Sequence, residues 1–348
     1  MGGDHDSPIR VGIAGLGRSG WDIHAKMLGN MGDKFRIVAV TDKETSRLKE
    51  AEETLGCRAY GQYEELLGDA EVELVIVAMP SHLHAPYSIA ALRAGKAVLC
   101  EKPMAPSLKE ADEMISVSKE TGRLLTVFQN RRYSKDFVKV REVISSGRLG
   151  RIVQIRIALN GFGRRWDWQT LKEFGGGTLN NNGIHLIDRA MVLIDEKEPE
   201  IFCHLDRALT LGDADDHVKV ILKAPGEPLV DIELTSACAY PTENWLVMGT
   251  QGTLIGTATE LRWKYIDPAE LPHREVDRKP TPDRSYNRED LHWYEETWSA
   301  ADDPGMGEAA FYVDLYNTIR KGAPLAVTPE SVRKRIALLQ RCHEISGL

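Results

Sequence analysis

Lys102 stands between an acid and a proline, in Glu101-Lys102-Pro103, directly after the apolar run 97–100. A lysine at a strand exit can donate to a carbonyl oxygen or help remove an alcohol proton, and burial near another cation lowers its pKa. A surface lysine paired with Glu101 is the other reading of the same triplet. Pro103 allows a cis Lys-Pro bond, which would turn the lysine into a crevice. His185 follows Gly175-Gly176-Gly177 at the start of a helix-like stretch, with Asp188 three residues on. That spacing puts a carboxylate on the same helical face, where it can orient the imidazole. An oriented histidine can take a hydroxyl proton while hydride leaves the carbon; a purely structural histidine also fits. His82 and His84 resemble a metal pair, but no Cys or carboxylate cluster completes a site, so no metal is expected.

Hydride transfer needs a carrier, and the sequence offers a place for one. Gly15-Leu16-Gly17-Arg18-Ser19-Gly20 follows a short apolar run, 9–14, and precedes a helix-compatible stretch, 21–31. In such a turn Gly15 permits a tight strand exit, Gly17 lets the backbone approach a pyrophosphate, and Gly20 lets helix pack closely on strand. The phosphates then meet free N–H groups at the helix start. A second apolar run, 35–40, ends at Thr41-Asp42, where a carboxylate can accept from both hydroxyls of an adenosine ribose. Asp42 would repel a 2′-phosphate, which favours NAD over NADP, although Lys43 beside it is a weak counter-signal. An ordinary glycine turn is the plain alternative.

Around these residues the chain alternates helix and strand: helix 44–55, strand 73–78, helix 85–94, strand 97–100, helix 108–121, strand 124–128. This grammar predicts a doubly wound parallel sheet, whose ligands bind beyond the carboxyl ends of the strands. Met79-Pro80-Ser81, Glu101-Lys102-Pro103 and Gln129-Asn130-Arg131 all lie at such ends. From about residue 150 a two-residue period takes over, in Val153, Ile155, Ile157 and Leu159, then in 217–223 and 230–234. Runs 245–248 and 253–255 flank a turn, and one large helix covers 179–194. A mostly antiparallel, open sheet follows, with one face left for a subunit contact. Residues 267–307 read as a surface excursion, and 308–320 and 329–345 as helices. The expected units are a dinucleotide-binding domain over 8–130, a substrate and oligomerisation domain over 131–325, and a final helix over 326–348 packing back on the first.

Arg164-Arg165-Trp166-Asp167-Trp168 mixes aromatic surface with charged donors and acceptors, which suits sugar rings; tryptophans packing down as loop anchors are the alternative. Tyr133 and Asn160 are further candidates for the pocket wall. The 348 residues, 42% hydrophobic, are enough for two cores. A net charge of -8 without a basic run argues against nucleic acid. The five scattered cysteines fit a reducing compartment. Neither a leader at residues 1–8 nor a bilayer-spanning stretch is evident, so a cytoplasmic protein without membrane contact is expected.

With these motifs in view the chain resembles the Gfo/Idh/MocA family of sugar and cyclitol oxidoreductases. The resemblance rests on the glycine turn, Asp42, Pro80 through His84, Ala94-Gly95-Lys96 with Glu101-Lys102-Pro103, Asn130-Arg131-Arg132-Tyr133, Gly147-Arg148-Leu149-Gly150, and Gly177 through Gly183-Ile184-His185 to Asp188, in the family's order and spacing. It implies a Rossmann domain followed by an α/β domain with an open antiparallel sheet, NAD(P) between them, and assembly as dimers or tetramers. It also implies that Lys102 and His185 act at the substrate. One position departs from the pattern: family dehydrogenases commonly carry Asp four residues before the histidine, where this chain has Asn181, within Asn180-Asn181-Asn182.

The expected reaction is NAD-dependent oxidation of a secondary alcohol on a sugar, glycoside or cyclitol, or reduction of the matching ketone. His185 is the expected base, Lys102 holds the hydroxyl, and Asn181 with Asn182, Asp188 and the 164–168 loop orients the ring. Pro80, His84, Glu101, Asn130 and Arg131 are the further cofactor contacts. Two rival readings are a glycosidase that oxidises transiently and eliminates the aglycone, and a non-catalytic sensor that binds the cofactor.

Overall fold

The computed structural model describes residues 7–280 and 284–348. The reading of residues 1–6 as free of a leader, and positions 281–283 of the 267–307 segment, lie outside the described residues. Strands β1 (Ile9–Ala14), β2 (Phe35–Thr41), β3 (Arg58–Tyr60), β4 (Leu74–Val77), β5 (Ala97–Cys100) and β6 (Leu125–Val127) form a parallel sheet in the order β3-β2-β1-β4-β5-β6. The inner strands are nearly continuous apolar runs because both faces are covered; Ile13, Leu74, Val75, Ile76 and Val98 are fully buried. Helices α1 (Lys26–Gly29), α2 (Thr45–Leu55), α3 (Tyr63–Gly68), α4 (His84–Arg93) and α5 (Leu108–Thr121) link these strands. The strand order reverses between β1 and β4, which opens a crevice at their carboxyl ends.

Two details differ from the sequence expectation. The helix after the glycine turn begins as a wide π-helical segment, Ser19–Ala25, and ends with α1 at Gly29 rather than at residue 31. The pair β3 and α3 was not predicted, because Arg58–Tyr60 is a partly exposed edge strand without an apolar run.

The second sheet contains β7 (Ile152–Asn160), β8 (Glu200–Asp206), β9 (His217–Lys223), β10 (Leu229–Thr235), β11 (Trp245–Gly249), β12 (Gly252–Gly256), β13 (Glu260–Tyr265) and β14 (Tyr294–Ser299). Its order is β14-β13-β12-β11-β7-β10-β9-β8, antiparallel throughout except between β7 and β10. Ile155 and Ile157 are buried as the two-residue period predicts, whereas Val153 and Leu159, toward the strand ends, are exposed. One face packs on α6 (Lys135–Ser145), α7 (Ile184–Leu193) and the late helix α9 (Pro329–Ser346), after α8 (Ala310–Lys321). Strand β14 lies within the segment read as a surface excursion, 267–307: it pairs with β13 at the sheet edge, where Tyr-Glu-Glu-Thr-Trp-Ser needs no buried alternation.

The two cores are stitched by the C-terminal helices. Phe311, Tyr312, Leu315 and Tyr316 of α8 belong to the first core, although the sequence division places 310–321 with the second unit. The reason is aromatic: Tyr312 and Phe311 stack edge-on against Phe128 and Phe35 of the first sheet's surroundings. Helix α9 lies across α5, β6, α7 and β8. Among the described residues no helix is long and apolar enough to cross a membrane. All five cysteines are free.

Candidate active site

The glycine turn is held by its own crowding. The Gly15 amide donates to the Thr41 carbonyl at 2.8 Å, and Gly15 has φ +94°, a conformation suited to glycine. A Cβ on Gly20 would lie 1.8 Å from the Gly15 carbonyl oxygen, while one on Gly17 would meet nothing within 4 Å among the described residues. Gly17 therefore faces open space of the kind a pyrophosphate fills. Asp42 accepts from the Leu16 amide (2.6 Å) and the Glu44 amide (2.9 Å), leaving lone pairs for a ribose. Arg18 and Lys43 are exposed and Ser19 is half-buried. The cation beside Asp42 is Arg47, at 3.4 Å, which the sequence reading missed. These residues fit an adenine dinucleotide.

Lys102 is half-buried, and its Nζ donates to Asn181, to the backbone oxygen at 3.0 Å and to Oδ1 at 3.2 Å. This disposes of the surface ion pair with Glu101. Burial, opposed by Glu101 and reinforced by Arg131 and Arg18, pushes its pKa below that of a free lysine. The Lys102-Pro103 bond is cis. Glu101, expected to touch cofactor, is instead buried and occupied: it accepts from His24 Nε2 at 3.1 Å and from the Lys102 amide at 2.9 Å. His24 Nδ1 in turn bonds the Tyr312 hydroxyl. Burial would raise the Glu101 pKa, but His24 and Lys102 hold it below the ordinary value.

His185 arrives through a second wide-turned segment, Leu179–Gly183, that tightens into α7. Such π segments recur at functional sites. Buried Asp215 caps it, accepting from the Leu179 amide at 2.8 Å. His185 Nδ1 is enclosed and has no hydrogen-bond partner among the described residues. Burial first, then the positive charges of Lys102, Arg131 and Arg189, push its pKa well below 6.5. At neutral pH the ring is uncharged and can accept a proton.

Asp188 does not orient it. Its carboxylate takes Arg132 (2.8 and 2.6 Å) and Arg335 (2.7 Å), so this expected substrate residue is a buried ion-pair hub. Asp188→Ala would take the carboxylate from Arg132 and leave fully buried Arg335 with Glu196 as its remaining carboxylate partner. The expected loss is about 3–5 kcal/mol of unfolding free energy, read from the urea midpoint.

His84 is likewise structural. It is buried, and its nitrogens lie 2.6 Å from the Pro103 carbonyl and 2.8 Å from the Met79 carbonyl, tying two strand exits together. Pro80 is exposed beside it. Asn130 and Arg131 both reach Glu308, Arg131 at 2.8 Å, so the turn before α8 clamps the exit of β6. Tyr133 donates to Asp314 at 2.8 Å and Asn160 to Glu233 at 2.9 Å, so each candidate wall residue has a partner within the protein. Asn182 is exposed; Asn180 bonds the Gly176 carbonyl and His343.

In the 164–168 loop Trp166 and Trp168 are 77% and 46% exposed, which excludes their packing down as anchors. Arg164 is exposed too. Arg165 grips Asp167 through two bonds (2.9 and 2.7 Å) and donates to Gln169 Oε1 at 2.6 Å. Gln169 Oε1 also accepts from Asn181 Nδ2 at 3.3 Å. Gln169 was not singled out from the sequence, where nothing marks one glutamine from another. A cavity of about 610 Å³ lined by Lys139, Thr257, Arg262 and Trp298 lies along the β12–β14 end of the second sheet and holds none of these residues.

Residues 9–129 match the model of an oxidoreductase family with an NAD-binding Rossmann fold, and residues 137–255 match the GFO/IDH/MocA C-terminal domain. The chain is 30% identical over 254 residues to a myo-inositol 2-dehydrogenase of Thermotoga maritima, covering 71% of this chain and 74% of the relative. It is 30% identical over 251 residues to a trans-1,2-dihydrobenzene-1,2-diol dehydrogenase of Danio rerio, covering 71% and 73%. Among solved structures, an NAD-binding protein from Listeria innocua superposes with TM-score 0.82 at 24% identity over 98% of both chains. The WlbA dehydrogenase from Bordetella pertussis, in complex with NADH and UDP-GlcNAcA, gives 0.77 at 21% identity over 98% of this chain and 97% of that one.

Proposed function

Since the chain belongs to the Gfo/Idh/MocA family of NAD-binding oxidoreductases, and is an NAD(P)-dependent dehydrogenase with NAD as its cofactor, we propose that it oxidises a secondary alcohol of a sugar, glycoside or cyclitol, or reduces the matching ketone. The observation that carries this reading is the meeting of Lys102 Nζ with Asn181 one helical turn before an uncharged His185 whose Nδ1 has no partner among the described residues. All three lie beyond the carboxyl ends of the first sheet, on the side of the glycine turn. The names of the inositol and dihydrodiol dehydrogenase relatives support a cyclic polyol as substrate class.

NAD, held at the glycine turn, would supply the acceptor for the hydride of the carbinol carbon. His185 takes the hydroxyl proton, so the alcohol leaves as a ketone and the imidazole as its conjugate acid. Lys102 donates to the same oxygen and stabilises the charge that develops there. Asn181 has no proton to exchange; it holds Lys102 and presents hydrogen bonds to a ring hydroxyl. Gly17 would receive the pyrophosphate at the turn that Gly15 and Gly20 shape, and Asp42 the ribose, with the exposed Trp166 and Trp168 as a surface for the sugar. On the open face of the second sheet, one row across paired strands places Phe202 and Ile221 on one side of the adjacent Asp231 and Arg156, and Leu246 and Ile255 on the other, which supports self-association as a dimer or tetramer.

The test is turnover of purified protein with NAD or NADP over a panel of sugars, inositols and glycosides, following reduced nicotinamide and products together. Reduced NAD accumulating with one cyclic polyol is expected. Cleavage of a glycoside without net reduction would replace the reading with elimination chemistry.

A further inference from the structure

The hydrogen bonds around Asn181 form a chain whose direction is set from both ends. Asp167 is a carboxylate and only accepts; Arg165 only donates; Lys102 only donates. Arg165 Nη2 points at Gln169 (2.6 Å), so the atom that Gln169 presents there is its oxygen. That oxygen is also the partner of the Asn181 side chain (3.3 Å), so Asn181 presents its NH2 group to Gln169 and its oxygen to Lys102 (3.2 Å). The assignment follows from donor and acceptor chemistry rather than from a choice between amide atoms.

We propose that Gln169, locked by Arg165 and Asp167, is a positioning residue that fixes the Asn181 amide with its oxygen toward Lys102. The inference rests on the dehydrogenase reading above for its bearing on catalysis. A carboxylate at 181 would present oxygen to Lys102 whichever way it turned; an amide does so in only one of two orientations, and the other places NH2 against an ammonium. The chain from Asp167 to Asn181 removes that ambiguity. Its backbone is fastened as well: the Gln169 amide caps on Asp167 Oδ1 at 3.1 Å, and the Gln169 carbonyl accepts from the Gly177 amide at 2.9 Å, at the entrance to the segment that carries Asn181. Arg165 and Asp167 are each nearly half exposed, so their pair contributes direction more than stability.

The test is the titration of Lys102, measured on the purified chain as the pH dependence of its acetylation by acetic anhydride and read peptide by peptide by mass spectrometry. Gln169→Leu is expected to move the Lys102 midpoint to lower pH, because the ammonium loses a fixed acceptor. Gln169→Glu, which still accepts from both neighbours, is expected to restore it. In an Asn181→Asp background Gln169→Leu is expected to change nothing, since either carboxylate oxygen serves Lys102. With a turned-over substrate in hand, Gln169→Leu should lower kcat about tenfold with KM within about threefold. An unchanged Lys102 midpoint in Gln169→Leu, or the same downward move in the Asn181→Asp background, overturns the positioning role. The titration pattern as expected with no substrate oxidised keeps this role and overturns the dehydrogenase reading instead.

Discussion

Lys102→Ala lowers kcat for alcohol oxidation by about a thousandfold while the NAD dissociation constant stays within about threefold of the parent, since the amine acts on the reacting oxygen and not on the glycine turn. The measurement is steady-state turnover beside calorimetric NAD binding. A second readout separates chemistry from collapse of the site. His185 owes its low pKa first to burial and next to the charge on Lys102. The proposed role of His185 as base needs the unprotonated ring, so rate is expected to fall as pH drops through the His185 pKa. Removing the lysine charge raises that pKa toward 6.5, and the acid limb of the residual activity moves to higher pH. The alkaline limb, set in the parent by loss of the Lys102 proton below the ordinary lysine value, disappears. A thousandfold loss with an unmoved acid limb would mean that Lys102 does not lie in the field of His185.

The residues that carry this argument were legible because their signals are local. Gly15 to Gly20, Asp42 and Lys102 each follow a buried apolar strand, and in a doubly wound sheet every strand exit on one edge faces the ligand. What local sequence cannot supply is the partner of a polar side chain. Glu101 looks like a ligand for Lys102 or cofactor until His24, 77 residues before it and itself held by Tyr312 of α8, takes its carboxylate. Asp188 lies at helical spacing from His185, yet Arg335, 147 residues on, claims its carboxylate. In both cases a distant cation or donor in the low-dielectric interior outweighs the neighbour suggested by spacing. The same reason hid Gln169, whose role comes only from facing Arg165 and Asn181 together. Helix α6 was missed for another reason. Its buried Phe137, Val140 and Val143 recur every third residue, but the β-branched valines dilute the helical signal.

The glycine turn separates two functions that a motif scan merges. Gly20→Ala would place a methyl 1.8 Å from the Gly15 carbonyl oxygen, and no flexible side chain is there to yield. Strand β1 and the helix segment Ser19–Ala25 would have to move apart, at about 3 kcal/mol or more for overpacking of this kind. Gly20→Ala is therefore expected to lose thermal stability and NAD binding together. Gly17→Ala adds the same methyl where the described residues leave nothing within 4 Å. Its melting temperature should stay within about 2 °C of the parent, because neither contacts nor backbone geometry oppose it. NAD affinity should nonetheless fall at least about tenfold, since the methyl occupies the approach of the pyrophosphate. Differential scanning fluorimetry with and without NAD reads both effects in one experiment. If Gly17→Ala bound NAD like the parent, the pyrophosphate would have to pass elsewhere, and the alignment of the carbinol carbon with Lys102 and His185 would have to be drawn from a different cofactor path.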